Sequence, residues 1–190
     1  MKEVVQERMT FTKIDYSDQK FSGNEFDNCL FINCNFSKSD LSDGNFMDCK
    51  FEECNFSMVK FSNTGLKNVS FKGCKLLGAD FTRCKDFLLS FYFEKCMLDY
   101  AIFHKKKLQK TIFKDSSVRE ADFSNADLTA SDFLNCDLAR TVFHQTILEK
   151  VDFRSANNYS VDPELNRIKK AKFSLPGVSG LLDKYQIIIE

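Results

Sequence analysis

Residues 46–61 read FMDCKFEECNFSMVKF, and a Phe occupies every fifth position of this stretch. The same spacing extends outward without a gap through Phe11, Tyr16, Phe21, Phe26, Phe31, Phe36, Leu41, Leu66, Phe71, Leu76 and Phe81. The next step falls on Asp86, and a shift of two residues restores the series at Leu88, Phe93, Leu98, Phe103, Leu108, Phe113, Val118, Phe123, Leu128, Phe133, Leu138, Phe143, Leu148 and Phe153. Of the 21 Phe, all but Phe87 and Phe91 lie in this register or its continuation at Phe173.

A small residue precedes almost every large one by two positions, and all eight Cys occupy such small positions. A period of five matches neither the turn of a helix nor the alternation of a strand. It is satisfied if five residues form one side of a coil, with one large and one small side chain pointing inward. Such coils bury these side chains only when they stack, through backbone hydrogen bonds at ~4.8 Å. Because Phe alternates with Leu or Val after the shift, each coil must have an even number of sides.

The triplets Ala79-Asp80-Phe81, Ala121-Asp122-Phe123 and Ala126-Asp127-Leu128 resemble the A(D/N)LXX pattern of the pentapeptide-repeat family. The resemblance implies an all-β fold, a right-handed quadrilateral parallel β-helix with four sides per coil. We predict a lead-in at 1–10, the β-helix at 11–153 with a register break at 82–92, an irregular last coil at 154–173, and a C-terminal helix and tail at 174–190.

The C-terminal tail carries an apolar stripe with helical spacing. Pro176 suits the first turn of a helix, and residues 186–189 favour a short strand. One helical face would present Leu175, Val178, Leu181, Leu182 and Tyr185. The stripe predicts either a cap over the last coil or a cap that also forms a homodimer interface. The ending resembles that of the quinolone-resistance (Qnr) branch of the family, whose members dimerise tail to tail.

Composition and motifs point away from catalysis. The 27 Lys and Arg balance the 27 Asp and Glu, so no net charge attracts nucleic acid. No apolar run is long enough for a membrane span, and the start lacks a signal core, so we expect a cytoplasmic protein with reduced thiols. The two histidines, His104 and His144, fall two coils apart, too far to share a metal. We therefore predict a non-enzymatic protein without a cofactor or a metal.

Charge is distributed in bands along the chain. Residues 11–56 carry 9 acidic and 4 basic residues, a net charge of −5, whereas residues 57–115 carry 5 acidic and 12 basic residues, +7. Residues 116–156 return to −3, from 7 acidic and 4 basic residues. The first band supplies a candidate acidic partner-binding face: Asp15, Asp18, Glu25, Asp27, Asp40, Asp43, Asp48, Glu52 and Glu53.

The register break supplies a second candidate surface. Leu89, Tyr92 and Tyr100 fall on outward positions there, and exposed apolar clusters often mark contacts. Lys106 falls on an inward small position, so it must either extend to solvent or force a bulge. The break is interpreted either as a partner-binding bulge or as a simple defect of the repeat.

The resemblance implies that this protein functions by binding other proteins. Qnr-type members are DNA-shaped rods that bind DNA gyrase or topoisomerase IV and protect it from quinolones, and their acidic surface imitates DNA. The basic middle band departs from that pattern and leaves an alternative open, a bacterial interaction scaffold with a different partner. Direct nucleic-acid binding through the basic band is a weaker third interpretation, because the band lacks interleaved aromatic residues.

Overall fold

The computed structural model describes residues 5–189, and these form the predicted right-handed, four-sided parallel β-helix. Its strands are, in chain order, β1 (Val5–Glu7), β2 (Thr10–Thr12), β3 (Glu25–Asp27), β4 (Leu30–Ile32), β5 (Asn45–Met47), β6 (Lys50–Glu52), β7 (Gly65–Lys67), β8 (Val69–Lys72), β9 (Phe91–Glu94), β10 (Ile112–Lys114) and β11 (Asp132–Leu134). Because β1 already pairs with β3, the stack begins before Phe11.

Two sides of the coil carry these strands. Side A consists of β1, β3, β5 and β7, and side B consists of β2, β4, β6, β8, β9, β10 and β11. Sides C and D are joined by single parallel bridges, such as Asp15 to Asn35 on side C and Asp40 to Lys60 on side D. All strand pairs are parallel. Each advances by one coil of 20 residues, as from Phe31 to Phe51, except the pair of β8 and β9, which spans the register break with a step of 22, as from Phe71 to Phe93.

The large inward residues form continuous columns in the core. On side B, the ring of Phe31 stacks on that of Phe51 with centroids 4.8 Å apart, and Phe113 stacks on Phe133 at 4.7 Å. This separation equals the spacing of hydrogen-bonded strands, so the backbone ladder places each ring directly over the next. Burying a Phe side chain contributes about 1.5–3 kcal/mol, so the columns stabilise the rod without disulfides.

The small inward residues have a second role besides fitting the space. Their thiol or hydroxyl groups donate hydrogen bonds to the carbonyl oxygen 23 residues earlier, as from Cys29 to Gln6 at 3.2 Å and from Thr64 to Leu41 at 2.9 Å. All eight Cys are buried and unpaired, which confirms their predicted inward placement. Cys, Ser and Thr therefore recur at these positions because they fill a small space and satisfy an adjacent carbonyl.

Each side ends in a corner residue with a left-handed backbone, two positions after the large inward residue. Corner residues such as Asp43, Asp48 and Lys105 have φ of 61°, 53° and 61°. Their side chains project from the corners of the coil. The corners accept charged residues of either sign, so surface charge varies there without altering the backbone.

The register break differs from its predicted arrangement. Leu88 was expected to resume the inward series, but it is 51% exposed. The neighbouring Phe87 is 81% exposed. Phe91, which the pattern placed in a small position, is only 6% exposed, and its ring contacts that of Phe81 at 5.4 Å. The extra two residues turn the side A segment outward, and the ring of Phe91 occupies the vacated core.

The last coil is irregular, as predicted. Asn158 turns outward with φ of 57°, and Tyr159 is buried instead against Phe153 and Phe173. A bridge from Asp152 to Lys172 keeps side B in register.

The tail forms short 3-10 helices, Pro176–Leu181 and Asp183–Tyr185. Residues 186–189 do not form the strand that the sequence pattern favoured. Gly180 packs so closely on Tyr159 that an added Cβ would lie 2.2 Å from the Tyr159 carbonyl oxygen. The tail therefore covers the end of the stack.

Candidate functional site

The nine carboxylates predicted as one acidic face lie on all four sides of the rod. Side A carries Glu25, Asp27 and Asp48; side B carries Glu52 and Glu53; side C carries Asp15 and Asp18; and side D carries Asp40 and Asp43. A period of five distributes consecutive repeats around the coil, so residues close in sequence face different directions. The acidic segment is a band around the rod, and the prediction of a single face is corrected accordingly.

Amide side chains of the next coil hold several of these carboxylates in place. Asn63 donates to Asp43 at 2.8 Å and Asn68 donates to Asp48 at 2.6 Å. The same arrangement links Asn35 to Asp15 at 3.1 Å and Asn45 to Glu25 at 2.9 Å. A neutral amide fixes a carboxylate without cancelling its charge.

Cations do not pair with the acidic band. Within residues 5–189, none of the nine carboxylates forms a salt bridge, and every salt bridge involves residues from Asp86 onward. In the later coils, by contrast, Arg119 pairs with Asp137, and Arg154 with Asp152. The first band therefore keeps carboxylates that form no salt bridge in the described part of the chain, and amide side chains hold four of them.

Two members of the band also stabilise the local backbone. The Asp40 carboxylate accepts a hydrogen bond from the backbone N–H of Ser42, and Asp15 accepts one from that of Ser17. Hydrogen bonds from these serines hold the pKa of Asp40 and of Asp15 below the ordinary value. Asp15 and Asp40 are therefore poor choices for charge reversal, because substitution would also disturb a turn.

The three residues predicted as a break surface do not form one cluster. Leu89 is half-buried against the core, whereas Tyr92 lies on side B and donates to Glu94 at 3.3 Å. Tyr100 lies on side C and donates to Glu120 at 3.2 Å. The exposed apolar residues of the break are Phe87 and Leu88, and the departure of Phe87 from the register was the sequence signal for its exposure.

A groove with a volume of about 490 Å³ follows side A across β3, β5 and β7. Phe87 and Leu88 line one end, and Met47 lies near the middle. Charge changes sign along the groove, from Glu7, Glu25 and Asp27 at one end to the ammonium groups of Lys67 and Lys85, which lie over Met47 and Asn45 of the middle strand. The break therefore creates the apolar end of a dipolar groove.

The predicted dimer residues divide into two groups. Leu175, Val178 and Tyr185 are exposed, with Leu175 88% exposed, whereas Leu182 is half-buried and Leu181 packs on the core. A separate ion-pair cluster tethers the tail, since the Nζ of Lys184 lies 2.9 Å from an oxygen of Asp162 and 2.7 Å from one of Glu164. Leu181 therefore contributes to the cap, and the exposed group is available for contacts outside the chain.

Residues that would support chemistry do not converge in the part of the chain described. No cluster of three His, Cys, Asp or Glu side chains suited to a metal occurs within residues 5–189. His104 and His144 occupy the same position on side D with Ser124 between them. Within the same range, none of the helices has the length and apolar character of a membrane span.

Comparisons with known proteins agree with this architecture. A trypsin-treated variant of QnrB1, a plasmid-mediated fluoroquinolone resistance protein, is 23% identical with a TM-score of 0.66, over 98% of this chain and 92% of QnrB1. HetL, a pentapeptide repeat protein involved in heterocyst differentiation regulation in the cyanobacterium Nostoc sp. strain PCC 7120, is 15% identical with a TM-score of 0.60, over 91% of this chain and 87% of HetL. At these identities the likeness concerns the fold.

Sequence comparison identifies the family itself. No curated protein shows significant sequence similarity to the chain. The profile of the pentapeptide repeat region matches residues 6–81 and 88–159, and the gap between the two matches coincides with the register break. The chain therefore belongs to the pentapeptide repeat family.

Proposed function

We propose that this protein is a non-enzymatic, cytoplasmic DNA mimic of the Qnr type, which binds DNA gyrase or topoisomerase IV through its acidic band. The observation that carries the proposal is the set of nine carboxylates at residues 15–53, none of which forms a salt bridge within residues 5–189. A topoisomerase surface that binds duplex DNA must recognise a regular array of anions. The acidic band offers a dense set of carboxylates around the rod, four of which are held in place by amide side chains.

The geometry of the band is compatible with this role. Each of the nine carboxylates occupies its own column, because none lies 20 residues from another. All nine fall within about two coils, ~10 Å of rod at the coil spacing of ~4.8 Å, and DNA carries a phosphate every ~3.4 Å along each strand, so the two surfaces share a dense negative charge. The amide hydrogen bonds to Asp43 and Asp48 reduce the entropy that these carboxylates lose when they bind a partner. Because both surfaces are charged, binding should weaken steeply as salt rises.

The decisive experiment reverses charge at three corners of the band. The substitutions are Asp43→Lys on side D, Asp48→Lys on side A and Glu53→Lys on side B. All three residues have a left-handed backbone, with φ of 61°, 53° and 53°, respectively. Lysine already occupies such corners at Lys95, Lys105 and Lys110, so the backbone accepts it there. We expect the triple variant to lose at least 10-fold in affinity for purified gyrase and topoisomerase IV, and to lose protection of supercoiling against a quinolone.

The matched control reverses the charge at the same three corner columns, but further along the rod, in the basic band. Its substitutions are Lys95→Asp on side B, Lys105→Asp on side D and Lys110→Asp on side A. This variant should bind the topoisomerases at least as tightly as the original protein. Equal binding by the acidic-band variant, or no binding by the original protein, would contradict the proposed function.

The basic band supports a second candidate, an interaction scaffold for an acidic protein. Residues 57–115 carry a net charge of +7, and Lys105, Lys107 and Lys110 are exposed without a salt bridge to any residue between 5 and 189. If the Lys95, Lys105 and Lys110 variant lost binding to its cellular partner while the acidic-band variant retained it, the scaffold would be favoured. Leu89, Tyr92 and Tyr100 remain proposed contacts for either partner.

A further inference from the structure

We propose that the side A groove is a binding site for an extended peptide segment of a partner protein, with basic residues at one end, acidic residues at the centre and apolar residues at the other end. The groove is separate from the corner carboxylates tested above. It is built by the register break, because the exposed Phe87 and Leu88 form its apolar end. The inference rests on the groove's shape, its exposed apolar side chains and its charge gradient.

Hydrogen bonds fix the floor of the groove across three coils. Lys85 donates from Nζ to the side-chain oxygen of Asn45 at 3.1 Å, and Asn45 donates to Glu25 at 2.9 Å. Gly65 lies between Lys85 and Asn45, and a Cβ there would approach the Asn45 side-chain oxygen to 2.5 Å. Glycine at this position therefore lets the Lys85 side chain cross β7. The relay brings the ammonium group of Lys85 back over the middle strand β5, one amide away from the carboxylate of Glu25.

The groove also carries apolar side chains. Lys67 extends along the neighbouring column with its Nζ 3.5 Å from the sulfur of Met47. Phe87 is 81% exposed, and a large exposed aromatic ring next to a groove is a common anchor for a partner. The flexible Met47 side chain adapts to different apolar groups. The groove therefore offers apolar contact at the end formed by Phe87 and Leu88 and a smaller apolar contact at Met47.

Length and complementarity identify the occupant. From Glu25 to Lys85 the groove crosses three coil steps, about 14 Å at the coil spacing, which is close to four residues of extended chain. A volume of about 490 Å³ suits a segment of this size. A basic residue over Glu25 and Asp27, an acidic residue over the ammonium groups of Lys67 and Lys85, and an apolar residue on Phe87 and Leu88 would match the groove along its length.

The test uses a displayed peptide library and the full-length protein. Each peptide has two basic residues, two acidic residues and four randomised residues, in that order, and selection is followed by fluorescence polarisation with the enriched peptides. We expect micromolar binding that weakens at least 10-fold in the Phe87→Ser, Leu88→Ser variant and in the Glu7→Lys, Asp27→Lys variant. A peptide with the same composition but alternating charges should bind at least 10-fold more weakly.

Matched variants separate this proposal from the topoisomerase proposal. Leu77→Ser with Met97→Ser removes exposed apolar groups from side C, and peptide binding should not change. The Asp43, Asp48 and Glu53 variant should bind the peptides normally, whereas the Phe87 and Leu88 variant should bind topoisomerase normally. Thermal unfolding checks that each variant folds.

Three outcomes would overturn the inference. The first is that no peptide is enriched above the level found with the Phe87 and Leu88 variant. The second is that the enriched peptides bind both proteins equally. The third is self-association in light scattering that the Phe87 and Leu88 variant loses, which would assign the groove to a second copy of the chain.

Discussion

The Nζ atom of Lys106 donates a hydrogen bond to the carbonyl oxygen of Cys84 across 2.7 Å. In the regular stack, the equivalent carbonyl accepts from a backbone N–H of the next coil, as from Gly65 to Gly44 at 2.9 Å. At the break, within residues 5–189, no backbone N–H reaches the Cys84 oxygen. The lysine side chain therefore replaces a missing rung of the ladder, and it also pairs with Asp86 at 2.8 Å.

Lys106→Met should destabilise the protein by about 1–3 kcal/mol, because it leaves the buried Cys84 carbonyl without a donor. Lys105→Met is the matched control at an exposed corner next to it, and its effect should stay within about 0.5 kcal/mol. Urea unfolding of both variants measures the difference. If the two variants were equally stable, Lys106 would contribute nothing to the stability of the register break.

The fold followed from the sequence because its signal is a long-range sum over many repeats. A single Phe predicts little, but a period of five held by residues from Phe11 to Phe153 fits few backbones other than a stacked coil. The break could not be derived in this way, because register there depends on local competition for the core. Leu88 and Phe91 both fit an inward position by hydrophobicity, and the larger Phe91 ring occupies it.

The candidate site was predictable in composition but not in arrangement. The excess of acids over residues 11–56 was plain from the sequence. Their distribution over four sides follows from the 20-residue coil, since Asp43 and Asp48 lie on neighbouring corners rather than on one face. The amides that fix them, Asn63 and Asn68, lie one coil away, so only the stacked structure reveals those pairs.

Phe91→Ala should greatly reduce the free energy of unfolding, whereas Phe87→Ala should hardly change it, although the two residues are only four positions apart. Phe91 fills the core vacated by the outward turn, so its removal should cost about 3–5 kcal/mol. Phe87 is mostly exposed, so its removal should change stability by less than about 0.5 kcal/mol. Thermal unfolding followed by circular dichroism checks both. A large loss in the Phe87 variant would show that the outward turn is itself part of the packed structure.

The cysteines should react slowly in the native protein. Burial raises the pKa of the Cys49, Cys84 and Cys136 thiols to about 12. At pH 8 only ~10⁻⁴ of such a thiol is ionised, so modification should be roughly 10³-fold slower than in the unfolded chain. Ellman's reagent with and without guanidinium measures this ratio. Rapid native labelling of several thiols would contradict the inward placement.

The same thiols predict a loss of stability at alkaline pH. The pKa of these thiols is higher in the folded state than in the unfolded state. Their contribution to the free energy of unfolding is therefore complete below about pH 9 and falls as the pH rises toward 12. Cys49→Ala with Cys136→Ala should make the decline shallower, because two titrating groups are removed. Urea midpoints measured from pH 8 to pH 11 give the two slopes, and identical slopes would exclude these cysteines as a cause.

The exposed apolar residues of the tail predict a tail-to-tail homodimer. Leu175, Val178, Tyr185 and Ile188 are exposed at the end of the rod, and burying such a group against a second copy would remove it from water. Removing the whole tail is an unsuitable test, because Gly180 packs on Tyr159 and accepts a hydrogen bond from Val161 at 2.9 Å. Leu175→Ser with Val178→Ser and Ile188→Ser leaves this cap in place.

Light scattering at micromolar concentration should give the mass of a dimer for the intact protein and that of a monomer for the triple variant. Leu77→Ser with Met97→Ser removes exposed apolar groups from the middle of the rod, and this control should remain dimeric. Equal thermal stability of the variant and the control at high dilution would separate lost association from lost folding. A monomeric intact protein would refute the dimer and leave the tail as a cap alone, because Leu181 packs on the core of the same chain.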